Sequence, residues 1–141
     1  MKYINKIIEF FKYVTQTSNW LLHIILGIGI GNMLLCYVRN TFLQLIIAVL
    51  FTTVIAGLLE KGQSIVLKVK PDIRDVIATG ILGGFISFLI NITFYGIHFD
   101  TAKIENKEFL SIIFYSGVIL VIYSIIHWTI IQFIKLKKEN K

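Results

Sequence analysis

The chain has 141 residues, of which 56% are hydrophobic and only 16% charged, with a formal net charge of +6 and a mean hydropathy of +0.79. A soluble domain carries about 25% charged residues, so this composition speaks against a water-soluble globular fold. The basic residues sit in short pieces between apolar runs, where they read as membrane-flanking anchors and not as a nucleic-acid surface.

In chain order, the first element is amphipathic. Ile4, Ile7, Ile8, Phe11 and Val14 recur at helical spacing, with Lys2, Lys6, Glu9 and Lys12 on the other side. This pattern predicts a helix over residues 3–14 lying in the headgroup region of a membrane. Four apolar runs follow, at residues 20–38, 42–59, 76–99 and 109–134. About 20 apolar residues cross the hydrocarbon as a helix, so each run is predicted to span. The first has too long an apolar core for a signal peptide, and no Ala-x-Ala-like site follows it. The connection Arg39-Asn40-Thr41 is short enough to force the first two spans into an antiparallel hairpin. The expected fold is therefore all-α: a single membrane domain over residues 1–141, with four transmembrane helices and an N-terminal interfacial helix.

With four spans, both termini and the loop between spans two and three share one side. That side holds eleven Lys and Arg against three on the other, namely Arg39, Lys103 and Lys107. Cytoplasmic loops collect such residues, so the expected location is an inner (plasma) membrane with both termini in the cytoplasm. Trp20, Trp128, Tyr3 and Tyr13 suit the aromatic belt. Cys36, the lone cysteine, lies in an apolar run and excludes an intrachain disulfide.

Helices in lipid associate by close contact and polar bonds, which small residues four apart permit. Span one offers Gly27 and Gly31, with Gly29 between them. Span three offers Gly80 and Gly84, with Gly83 beside them, continued by Ser87 and Asn91. Spans one and three are expected to cross through these glycines.

The residues that interrupt the apolar pattern are the candidate site. His23 lies near the start of span one, on the face of Gly27 and Gly31. Glu60 closes span two, with Gln63 on its face. Asp72, Arg74 and Asp75 open span three after Pro71. Under the expected topology all of them reach the cytoplasmic edge. Each also has a structural reading: Asp72 or Asp75 as a helix cap, Glu60 paired with Lys61 or Arg74, and His23 as a half-buried interfacial residue. The functional reading is that carboxylates and an imidazole in or beside hydrocarbon are costly and mark sites. His23, Glu60, Gln63 and Asp75 would then form a catalytic site, with Glu60, Asp75 and His23 suited to general acid–base work and Lys61, Arg74 and Asp72 as accessory binding residues. The spacing is incomplete as a metal signature, so neither a metal nor a cofactor is expected. His98 and His127 read as interfacial residues. Phosphate-loop, nucleophile-elbow and cysteine-based motifs are absent from the sequence.

The polar residues also carry a resemblance. The string Asn19-Trp20-Leu21-Leu22-His23-Ile24-Ile25-Leu26-Gly27 resembles the opening motif of VanZ-like small membrane proteins. Gly57-Leu58-Leu59-Glu60-Lys61-Gly62-Gln63 resembles their Glu/Gln segment. Arg74-Asp75-Val76-Ile77-Ala78-Thr79, followed by Gly83-Gly84, resembles their Asp segment; the related YfiM-like family has a similar pattern. The likeness covers residues 19–84. It departs where Asn19 and Trp20 replace an Asp and a Lys, and where the glycine after the Asp segment is displaced by about one position. The resemblance implies a polar signature at His23, Glu60, Gln63 and Asp75, together with a cell-envelope context associated with glycopeptide resistance. It implies no established reaction.

On this reading the partner is a membrane lipid or a lipid-linked envelope precursor, with Lys61, Lys68, Lys70 and Arg74 suited to an anionic headgroup. The alternatives are a phage holin or other pore-forming protein that oligomerises without a chemical site, and an accessory subunit bound to another membrane protein. A homo-oligomer is compatible with each. A transporter is disfavoured because no inverted repeat is visible.

Overall fold

The computed structural model describes residues 3–7, 9, 19–36, 38–97 and 107–139, all of them helical or in short connections, with no strand among the described residues. Helix α1 is Trp20–Leu35. Helix α2 is Thr41–Leu67, α3 covers residues 73–95, and α4 is Lys107–Glu139. By length and composition, α2, α3 and α4 are each fit to cross a membrane. Helix α1 is apolar but has 16 residues, about 24 Å of rise, so it is shorter than the 20–38 expectation. Residues 3–7 and 9 are helical and exposed; the rest of the expected interfacial helix lies outside the described residues, as does His98. Side chains on the outside of the bundle are apolar, among them Leu50, Val54, Ile119, Ile122 and Phe133.

The helix ends have local causes. Asn40 caps α2 by accepting a hydrogen bond from the Leu43 N–H. The helix then runs on past its apolar stretch through Glu60 and Gln63 and stops at Lys68, which takes left-handed φ 54°. The helix thus continues eight residues beyond the apolar run that ends at Leu59. Helix α3 starts at Ile73 under an Asp72 cap and stops before Gly96, whose φ of 75° a side chain would oppose.

Helix α1 lies between α3 and α4 and touches α2 far less. Residues two apart on a helix point roughly 200° apart, so three alternating glycines serve two partners. A Cβ on Gly27 would strike the Thr79 carbonyl and lie 2.9 Å from Gly83 Cα, and one on Gly31 would lie 2.6 Å from the Ser87 side chain; both face α3. A Cβ on Gly29 would instead lie 2.9 Å from the Gly117 carbonyl of α4.

The other half of the expected glycine contact differs. Gly83 is the residue of α3 that meets Gly27, and Gly84 Cα lies 3.8 Å from a Cβ built on Gly31, but Gly80 abuts Thr53 of α2 and Gly84 also abuts Ala48 of α2. Helix α3 has a wide, π-type stretch over Ile77–Gly83, which faces a second one in α2 over Ile47–Phe51. The buried apolar core falls into two clusters, one around Ile24 and Ala78, the other around Leu35, Ala48 and Phe88.

Between the crossings, polar groups bond across helices. Asn32 Oδ1 accepts from Ser87 Oγ at 2.7 Å and from Asn91 Nδ2 at 3.4 Å, and Asn32 Nδ2 donates to Ser116 Oγ at 3.5 Å. Asn32, Ser87 and Asn91 are all buried. This network ties α1, α3 and α4 together near the C-terminal end of α1.

Candidate functional site at the polar end of the bundle

Three helices deliver polar side chains to one end of the bundle. His23 enters from the first turn of α1 and Glu60 from α2. Asp75 and Thr79 lie four apart on one face of α3, the spacing at which helical side chains are neighbours. His23 Nε2 is 3.4 Å from Asp75 Oδ2, and His23 Nδ1 is 3.1 Å from Thr79 Oγ1. A single imidazole thus bridges both positions of α3. With the Nε2–H tautomer it donates towards Asp75 and accepts from Thr79.

Glu60 is buried and its Oε1 accepts the backbone N–H of Asp72 at 2.8 Å. It therefore fastens the turn between α2 and α3. Asp72 caps α3 through the Arg74 N–H at 2.9 Å and holds the Arg74 guanidinium in a fork of contacts at 2.7–3.1 Å. The hydrogen bonds from Arg74 hold the Asp72 carboxyl below the ordinary carboxylate value. Lys61, Lys68 and Lys70 are exposed on the same end.

His23, Glu60, Gln63, Asp75 and Thr79 line a small pocket of about 40 Å³, closed by Leu26, Ala56 and Leu59. Asp75 Oδ1 is buried and has no hydrogen-bond partner among the described residues. Beside the pocket runs a larger cavity of about 530 Å³ between α1, α2 and α4, lined by Leu22, Ile30, Met33, Leu34, Ile55, Val121, Ile125 and Trp128. The two share His23, Leu26, Leu59 and Gln63 as common wall. A large apolar cavity and a small polar pocket therefore lie side by side.

The four residues singled out by sequence, His23, Glu60, Gln63 and Asp75, are brought together around this pocket. Lys61, Asp72 and Arg74 are not among its described lining residues. Thr79 is the addition: it follows Asp75 by four residues, which was the signal available in the sequence. The contribution of α4 to the groove had no sequence signal, because Val121, Ile125 and Trp128 read as ordinary span residues. His127 lies away from the site, with Nδ1 3.2 Å from the Tyr123 hydroxyl. Among the described residues no group of His, Cys, Asp and Glu is arranged to hold a metal ion. Compared with known proteins, the chain matches no protein-family model, no curated protein and no solved structure.

Proposed function

We propose that the chain is a VanZ-like cell-envelope protein of the bacterial inner membrane, crossing it four times with both termini in the cytoplasm. It binds a membrane lipid, or a lipid-linked envelope precursor, with the head group at His23, Glu60, Gln63 and Asp75. One observation carries the reading: the apolar groove and the polar pocket share a wall, which is the shape of an amphiphile. Ligand sites are concave, mostly apolar and furnished with a few convergent polar groups. The four-span topology is supported by the Lys and Arg asymmetry, with α1 as the short member of the bundle.

The test combines phenotype with insertion level. His23→Ala, Glu60→Ala and Asp75→Ala are each expected to abolish an envelope phenotype, read as glycopeptide sensitivity, while the protein still inserts. Leu26→Trp, which obstructs the wall common to groove and pocket, is expected to do the same and to reduce co-purified lipid severalfold. Retention of phenotype and bound lipid in all four variants overturns the reading. Timed permeabilisation of cells by those same variants would put a holin in its place.

A further inference from the structure

We propose that the head group held at this site is a sugar, so that the bound amphiphile is a glycolipid whose neighbouring hydroxyls bond Glu60 and Gln63 of α2. This deepens the lipid-binding reading and rests on it.

The polar residues around the pocket divide into those already bonded to each other and those still open. His23, Asp75 and Thr79 form the first group: the imidazole lies 3.4 Å from Asp75 Oδ2 and 3.1 Å from Thr79 Oγ1, and Asp75 Oδ1 is sealed from solvent. Glu60 and Gln63 form the second group. Glu60 is only 7% exposed and gives Oε1 to the Asp72 N–H. Its Oε2 has no partner among the described residues and, unlike Asp75 Oδ1, is not sealed. Gln63 is half-buried, makes no hydrogen bond among the described residues, and belongs to the wall common to pocket and cavity. Three positions apart on one helix, the two side chains are neighbours, with ~5–6 Å between their Cβ atoms. They present a carboxylate oxygen that only accepts and a carboxamide that donates through its NH₂ and accepts through its oxygen. An ammonium donates but cannot accept, which leaves the Gln63 NH₂ unanswered. A phosphate accepts but cannot donate, and it would meet the Glu60 carboxylate with no Lys or Arg among the described lining residues. A hydroxyl does both, and adjacent ring hydroxyls of a sugar supply two such groups side by side. Trp128 lines the cavity together with His23 and Gln63. The face of an indole is electrostatically negative, which suits the polarised C–H bonds of a sugar ring and gives a glycerol head less to stack on. The acyl chains then take the apolar remainder of the cavity.

The experiment exposes the full chain, in a detergent without a sugar head, to an equimolar mixture of glucosyl diacylglycerol, phosphatidylglycerol, phosphatidylethanolamine and phosphatidylcholine with identical acyl chains. Retained lipid is then counted by mass spectrometry. The glucosyl lipid is expected to exceed each of the others about tenfold, as two net hydrogen bonds would give. Gln63→Ala breaks no hydrogen bond within the described fold and is expected to bring the ratios close to one, with melting temperature and total retained lipid unchanged. Glu60→Gln keeps an amide oxygen for the Asp72 N–H and is expected to lower the preference severalfold. Trp128→Leu is expected to narrow the gap between the glucosyl lipid and phosphatidylglycerol. Equal retention of the four lipids overturns the sugar assignment but leaves lipid binding standing, and so does a preference for phosphatidylethanolamine or phosphatidylcholine. A preference for phosphatidylglycerol also overturns it and identifies a glycerol head. A glucosyl preference unchanged in all three variants overturns the assignment to Glu60 and Gln63. Retention of none of the lipids removes the lipid-binding reading itself.

Discussion

The seam between α1 and α3 and the groove between α1, α2 and α4 lie on different flanks of the same short helix, and they are built from different residues. At the seam, Gly27 and Gly83 let two backbones meet with no side chain between them. At the groove, Leu26, Ile30, Met33 and Leu34 keep their bulk, and α2 stays at a distance that leaves about 530 Å³ unfilled. Neighbouring positions of one helix therefore either close a contact or hold one open, according to whether a side chain is present. In lipid this matters more than in water, because helix association depends on close packing and not on removing apolar surface from solvent. The polar pocket sits where the two regimes meet: His23 belongs to both the groove wall and the link to α3.

The largest effect expected from breaking this contrast is at the seam. In Gly27→Ala the added methyl meets the Thr79 backbone carbonyl, which cannot swing aside as a side chain would. Overpacking typically costs about 1–3 kcal/mol, and a collision with backbone belongs at the upper end or beyond. Gly57 and Gly62 are the controls, because a Cβ at either meets nothing within 4 Å. Gly57→Ala and Gly62→Ala should be neutral or stabilising by about 0.5–1 kcal/mol, the helical advantage of Ala over Gly. Thermal unfolding of the three variants in the same detergent checks the order. Equal melting of all three would remove the seam as the structural core of the bundle.

How much of this was legible in the sequence depends on which physical rule governs each part. The apolar runs were, because crossing hydrocarbon demands apolar residues over a fixed length whatever the packing. The helix ends were less so. Helix α2 continues through Lys61–Leu67 because nothing before Lys68 stops it, and a lysine in left-handed conformation has no sequence signature. The glycine stripes announced close crossings, but that Gly80 and Gly84 also abut Thr53 and Ala48 of α2 had no signal in the sequence. At the site, the polar residues stood out by their cost in hydrocarbon. Their pairing did not: that Glu60 would hold the Asp72 N–H, and His23 both Asp75 and Thr79, depends on the separation of helices that only the fold fixes. The groove was invisible, since an absent contact leaves no mark on a row of Leu, Ile and Val.

The contrast can be sharpened by weakening the seam through its hydrogen bonds instead of its sterics. Asn32→Leu removes the acceptor for Ser87 Oγ and Asn91 Nδ2 and the donor to Ser116. Interhelical hydrogen bonds within membranes are worth about 0.6 kcal/mol on average and up to ~1.7, so the expected loss is about 1 kcal/mol, well below that of Gly27→Ala. Comparing the melting of Asn32→Leu with that of Ser87→Ala separates the bonds from the volume: if bonding is the cause, Ser87→Ala should lose part of the same stability and add little in the double variant.

The smallest effect belongs to the turn that orders the pocket, and it depends on pH in a defined direction. The Arg74 hydrogen bonds hold the Asp72 carboxyl below its ordinary value of 3.8, so the folded state binds a proton there less readily than the unfolded chain. The resulting stability is fully present above the unfolded value and is lost as pH falls through the lower folded one. Both side chains are about 30% exposed, which limits the pair to at most about 1 kcal/mol. Arg74→Ala should therefore melt slightly below the wild type at neutral pH, with the difference closing in the acid range beneath 3.8. A gap that persists undiminished in acid would assign the role of Arg74 to the packing of its side chain on the turn and not to its charge.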